Sequence, residues 1–275
     1  MIRLVALDVD GTIRCGGRIS ERVRRAVAAT RRAGVKVTLA TGRRLSAAVG
    51  FARELGIDVP LILHDGALVY DHVREEIVRA THLPGEVARH LLRRSRELGL
   101  AGFLHENAHC GQRVYYDAEW AREAFDLFYS RSDDNFALVK DLSALCDLDP
   151  LRLIMFGDPA AVEEMYRLAA EIGGHRMLRW RDLHLHTLEF FAPDATKAEG
   201  VRTVADLLGV PYEAVMTIGD QQNDLEMLRD FPYGVAMETA PEEVKRQARY
   251  VTAPCEQDGA ALALERFIDG VREAL

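Results

Sequence analysis

A run of four apolar residues, Leu4-Val5-Ala6-Leu7, stops abruptly at Asp8-Val9-Asp10-Gly11-Thr12. A short apolar run ended by polar residues and glycine predicts a buried central strand whose C-terminal end meets solvent. In open α/β sheets, ligands bind at that edge. Asp8 and Asp10 would stand there together, and such a pair is costly unless something cationic neutralises it. A divalent cation with oxygen ligands meets that need. The same residues also suit a plain acidic turn, since Asp and Gly are ordinary turn formers.

The pattern then repeats. Ser20 is placed to cap a helix running to Ala33, and Gly34 ends it. A second strand over 35–40 stops at Thr41-Gly42-Arg43, a helix covers 45–55, and a third strand over 60–63 ends in His64-Asp65-Gly66. Short strands alternating with helices predict right-handed βαβ units and a parallel sheet. From there the rhythm changes: a hairpin over 68–70 and 77–81, a helix from Pro84 to Leu98, strands at 102–106 and 113–116, and a helix over 118–129. A strand over 151–156, a helix over 160–172 and a strand pair over 175–180 and 184–191 complete a block with antiparallel pairing. After Pro193 the first rhythm returns, with a helix over 197–208, a strand over 215–218 stopping at Gly219-Asp220-Gln221-Gln222-Asn223-Asp224, a short strand near 234–236, a helix after Pro241 and a closing helix from Gly259. The simplest architecture is an α/β core built from both ends, 1–82 and 192–275, with an α+β domain inserted over 83–191.

A chain of 275 residues has room for one large or two moderate domains. Its net charge of −8 argues against a nucleic-acid partner or an acidic membrane surface, both of which need a basic face. No apolar run reaches membrane-spanning length, and no signal peptide precedes the first strand, so a cytoplasmic location is expected. Cys15, Cys110, Cys146 and Cys255 are far apart without a C-x-x-C pair, which predicts four reduced thiols.

Three predicted strand ends carry groups that suit a single chemistry. They are Asp8 and Asp10, then Thr41, then Asp220, Asn223 and Asp224, with Lys197 opening the helix before the last strand. Carboxylates, a hydroxyl and an ammonium around a metal suit phosphoryl transfer, where catalysis is mostly positioning and charge neutralisation. Taken singly, Lys197 could be an ordinary solvated lysine, Thr41-Gly42 a common strand exit, and Arg43 a structural partner of a nearby carboxylate. Taken in order, D8-V-D10-G-T12, L39-A-T41-G-R43, Lys197 and G219-D220-x-x-N223-D224 resemble the four motifs of the haloacid dehalogenase superfamily. The insertion resembles the cap of its Cof-like, class IIB phosphatases.

The resemblance implies a Rossmann-like three-layer α/β/α core with a parallel sheet plus an inserted cap domain. It implies Asp8 as nucleophile, forming an aspartyl-phosphate, and Asp10 as general acid and base. Thr41, Gly42, Lys197 and Asn223 would bind phosphate. Mg²⁺ would be held by Asp8, the Asp10 carbonyl and Asp220, with Asp224 and Asn223 supporting. Because Asp10 must be protonated to act as an acid, closeness to Asp8 and partial burial are expected to raise its pKa. The implied activity is hydrolysis of a small phosphorylated metabolite, such as a sugar phosphate; a phosphomutase or a phosphate-binding regulatory module are the alternatives. The sequence carries no signal for oligomeric state.

Some positions depart from that family pattern. Asp65 stands where the family shows Asn, D194-A-T-K197-A replaces a commoner G-V-S-K-G, and Thr239 replaces Asn. His105-Glu106-Asn107-Ala108-His109 matches the H-E-x-x-H zinc pattern, but that chemistry needs a helix, and here a strand runs into Gly111, so a hairpin turn is expected. His184 and His186 would share one face of a strand, either as ordinary residues or as substrate contacts.

Overall fold

The computed structural model describes residues 1–118, 135–181 and 186–269. The expected helix over 118–129 and the position of His184 lie outside the described residues. In chain order the strands are β1 (Leu4–Leu7), β2 (Arg14–Cys15), β3 (Arg18–Ile19), β4 (Lys36–Leu39), β5 (Leu61–Leu63), β6 (Leu68–Asp71), β7 (Glu76–Ala80), β8 (Ala101–His105), β9 (Val114–Tyr116), β10 (Phe136–Leu138), β11 (Arg152–Gly157), β12 (Arg176–Arg181), β13 (His186–Phe191), β14 (Val215–Gly219), β15 (Tyr233–Met237) and β16 (Tyr250–Thr252). The chain divides into two compact units, Met1–Arg79 with Thr196–Leu275, and Ala80–Ala195.

The first unit is built on a parallel sheet in the order β16-β15-β14-β1-β4. All four residues of β1 are buried, as an unbroken apolar strand between two neighbours requires. Its partners run in register, with Leu7 opposite Ile218 on one side and Leu39 on the other. The helix Glu21–Arg32 starts where the Ser20 hydroxyl accepts the Val23 N–H, and it buries Val23, Ala26, Val27 and Thr30, one stripe at helical spacing.

The third expected strand behaves differently. It joins the parallel sheet through an isolated bridge between Ala40 and Ile62, and β5 then pairs antiparallel with β6 in the order β5-β6-β7. The reversal is local: His64, Asp65 and Gly66 all have positive φ, at 49°, 54° and 96°. Glycine is required at the last of these, because a Cβ there would lie 1.9 Å from the Thr196 carbonyl oxygen. That close approach brings the turn against the start of the helix Lys197–Leu207.

The second unit holds a six-stranded sheet in the order β10-β9-β8-β11-β13-β12. Strand alternation gives it two apolar faces. Leu104, Leu153, Met155, Leu188 and Phe190 pack with Leu91, Leu92, Val162 and Met165 of the helices Gly85–Glu97 and Pro159–Ile172. Phe103, Tyr116, Ile154 and Phe156 form the other cluster, with the Phe103 and Phe156 rings stacked at 5.1 Å. Strand β10 and a 3-10 run at Leu142–Leu148 add to what periodicity predicts.

His105 is the last residue of β8 and the residues after it lead to β9, so His105 and His109 do not share a helix face. The expectation of four reduced thiols is corrected. Cys15 and Cys255 form a disulfide with Cα atoms 6.0 Å apart, while Cys110 and Cys146 are free. The 240-residue separation hides that pair from any reading of spacing. Among the described residues, no helix is long and apolar enough to cross a membrane.

Candidate active site

Parallel pairing in register brings three strand ends to one edge of the sheet. Asp8 follows β1, Asp220 follows β14, and Thr41 lies two residues beyond β4. Lys197 reaches this edge from a separate element. Its helix is capped by Thr196, whose hydroxyl accepts the Glu199 N–H, and it packs closely on β5, where a Cβ on Gly200 would lie 2.3 Å from Ile62. Lys197 is wholly buried. Its Nζ donates to Asp8 Oδ1 at 2.7 Å and to Asp224 Oδ1 at 2.6 Å. Asp224 Oδ2 accepts the backbone N–H groups of Asp220 and Gln221 at 2.9 and 3.0 Å, so this carboxylate fixes both the ammonium and the loop after β14. The Thr12 hydroxyl donates to Asp220 Oδ1 at 2.9 Å, tying the first motif to the last.

Asp8, Asp220 and Asp224 each present a carboxylate oxygen within 4.8 Å of the others. One ammonium cannot neutralise three carboxylates, so the cluster holds surplus negative charge. Burial pushes the Asp8 carboxyl well above its ordinary range, with Asp224 and Asp220 adding to the effect and Lys197 opposing it. Asp220 is pushed up to about 6, by burial first and then by Asp224. For Lys197, burial favours the neutral amine, but Asp224, Asp8 and Asp65 outweigh it and keep the ammonium charged well beyond the ordinary lysine range. An anion-rich, oxygen-only donor set of this kind fits a hard divalent cation. The Asn223 Oδ1, buried and without a hydrogen-bond partner, is a further oxygen facing no donor.

Asp10 corrects an expectation. Its side chain, 47% exposed, turns to two arginines and lies outside the carboxylate cluster. Arg43 donates through Nε at 2.5 Å and through its terminal nitrogen at 2.8 Å, and Arg14 donates at 2.9 Å. Partial burial works to raise its pKa, as expected, but the two guanidiniums win and the carboxyl is held below its ordinary value.

The Thr41 hydroxyl accepts the Arg43 N–H at 3.2 Å, and Thr41 itself is buried. A Cβ on Gly42 would lie 2.8 Å from Asp65 Oδ2. The Asn223 amide donates to Asp65 Oδ1 at 2.7 Å. Asp65 therefore touches two of the residues expected to bind phosphate, a role its sequence position suggests only as a departure from pattern. Sequence reasoning assigns no role to Thr12 or Arg14. Thr12 lies within the first motif and is open to notice, whereas nothing in the order of residues marks Arg14.

The sequence profile of the haloacid dehalogenase-like hydrolases matches residues 5–264. The chain is 28% identical over 271 residues to the 5-amino-6-(5-phospho-D-ribitylamino)uracil phosphatase YitU of Bacillus subtilis strain 168, covering 96% of this chain and 97% of that one. Among solved structures, the sugar phosphatase BT4131 of HAD subclass IIB superposes with a TM-score of 0.81 at 26% identity, over 96% of this chain and 98% of its own. BT1666, a phosphatase of the same superfamily from Bacteroides thetaiotaomicron, gives 0.80 at 25% identity, over 97% and 95%. With ordered motifs, a shared fold and a profile spanning nearly its whole length, this chain belongs to the haloacid dehalogenase-like hydrolases and is a phosphatase of that family.

Proposed function

We propose that this protein is a Mg²⁺-dependent phosphatase that hydrolyses a small phosphorylated metabolite through a phosphoryl-aspartate on Asp8. The observation that carries the reading is the buried contact of Lys197 with Asp8 at 2.7 Å, inside a cluster completed by Asp220 and Asp224. Asp8 Oδ is the nucleophile; it bonds to phosphorus as the bond to the leaving alcohol oxygen breaks. Asp10 gives its proton to that oxygen, then takes one from the water that attacks the phosphoryl-aspartate. Inorganic phosphate leaves, and Asp8 returns as a carboxylate. A carboxylate attacking an anionic phosphate meets like-charge repulsion, which Lys197 offsets from within hydrogen-bond distance. Thr41, Gly42 and Asn223 would hold the phosphoryl oxygens.

Asp8, Asp220 and the Asp10 carbonyl would hold Mg²⁺, with Asp224 orienting the loop that carries Asp220. When bound, the ion neutralises charge on nucleophile and phosphoryl group. Asp10 acts only after leaving the arginines. Away from their charge and beside anions, it favours its protonated form.

The inserted unit is the proposed cap, and choice of leaving group is expected there. A ribityl pyrimidine phosphate, the substrate in YitU's name, joins sugar phosphates as a class worth assaying. The test is release of inorganic phosphate from p-nitrophenyl phosphate with and without Mg²⁺. Release that depends on Mg²⁺ and vanishes in Asp8→Asn is expected, whereas release undiminished in Asp8→Asn refutes the nucleophile.

A further inference from the structure

Asp10 is the group that must meet the leaving oxygen, so whatever hangs from that oxygen comes to rest beside Asp10's present partners. Those partners are Arg43 and Arg14, both within 2.9 Å of its carboxylate. The charges do not balance. Two guanidiniums share one carboxylate, and among the described residues neither arginine pairs with a second. The Arg14 Nε is buried without an acceptor. Both guanidiniums lie over the Phe51 ring, with the Arg43 and Arg14 carbons 5.3 and 5.8 Å from its centroid, so one aromatic ring supports the pair. Arg14 is held from the main chain too: its N–H donates to Val9 at 2.8 Å, its carbonyl accepts from Gly11 at 3.2 Å, and the neighbouring Cys15 is tied to Cys255. Side-chain exposures of 30% for Arg14 and 27% for Arg43 leave the pair open to a ligand. It is a preformed oxyanion cradle with surplus positive charge, and the Asp10 carboxylate sits in it.

We propose that Arg14 and Arg43 form a subsite for a second anionic group on the leaving alcohol. The preferred substrate is then a phosphomonoester whose alcohol carries a carboxylate or another phosphate. That oxyanion takes the place of the Asp10 carboxylate between the guanidiniums and frees Asp10 to turn toward the leaving oxygen. The inference rests on the phosphatase reading above and adds a substrate class to it.

Three compounds with one carbon skeleton test it: glucose 6-phosphate, 6-phosphogluconate and glucose 1,6-bisphosphate, whose second group is neutral, carboxylate and phosphate respectively. Released phosphate should give a kcat/KM at least about 10-fold higher for the doubly anionic compounds, the size of one charge-assisted hydrogen bond. A preference for only one of the two identifies which oxyanion the site takes. Arg14→Gln should abolish the preference, and Arg14→Lys, which keeps the charge, should retain part of it, with circular dichroism checking that both variants fold. Equal kcat/KM for all three compounds, or a preference that survives Arg14→Gln, overturns the subsite. The same compounds are titrated by calorimetry into Asp8→Asn, with and without the Arg14→Gln change. Tighter binding of the double anions that depends on Arg14 upholds the subsite even if no phosphate is released, an outcome that refutes only the phosphatase reading; binding without that dependence refutes the subsite.

Discussion

Replacing Lys197 by methionine, nearly its match in length, isolates what the buried ammonium contributes. The side chain is fully buried and donates to two carboxylates, at 2.7 and 2.6 Å, that are themselves 8% and 0% exposed. Its loss leaves Asp8, Asp220 and Asp224 facing each other with no cation. Breaking a buried ion pair by removing one partner costs about 3–5 kcal/mol, because the stranded charge remains desolvated. Protonation of the stranded carboxylates limits the loss, so the lower half of that range applies in acid. In a unit of roughly 160 residues, 1 kcal/mol corresponds to about 2–4 °C, so a fall in Tm of roughly 6–20 °C is expected at neutral pH. Scanning calorimetry of the metal-free protein reads this directly. The deficit should narrow as pH drops toward 5, since carboxyls with raised pKa take up protons and cease to repel. A Tm within 2 °C of wild type at pH 7 would mean that the three carboxylates do not share one desolvated site, and the charge argument for metal binding would fall with it.

Other consequences follow from single contacts. Asp220, pushed up to about 6 from an ordinary 3.8, binds more protons in the native state than in the unfolded one. Its contribution is therefore intact below pH 4 and lost as pH rises through 6, about 3 kcal/mol in all; urea unfolding across pH should show that loss in metal-free protein and not in Asp220→Asn. Gly42→Ala sets a methyl 2.8 Å from Asp65 Oδ2, so a loss of about 1–3 kcal/mol is expected, recovered in large part when Asp65→Ala is added; equal losses in single and double variants would refute the contact. Thiol titration of native protein should find exposed Cys110 alone, unfolding without reductant should add buried Cys146, and only reduction should reveal Cys15 and Cys255.

Legibility of this chain followed the range of the physical signal. Burial and turn chemistry act over a few residues, so the Leu4–Leu7 strand, its polar stop and the helix opened by Lys197 could be read directly from the chain. That Lys197 is buried beside Asp8 was open only to family resemblance, because a lysine at a helix start carries no local mark of desolvation. Contacts between distant segments left no trace at all: the Cys15–Cys255 pair, Thr12 against Asp220, and Asp65 under Asn223. Asp10 marks the boundary between the two. Reasoning along the chain, two carboxylates one residue apart should repel and keep a proton between them. But β1 ends at Leu7, and beyond it the backbone turns, so nothing obliges the Asp8 and Asp10 side chains to face each other. One enters the desolvated cluster and the other meets two guanidiniums, and their pKa values move in opposite directions. With Asp8 as nucleophile and Asp10 as acid, the roles proposed above, this is a site at rest: Asp8 needs more positive charge than Lys197 supplies to be an anion, and Asp10 needs an anion to leave its two arginines.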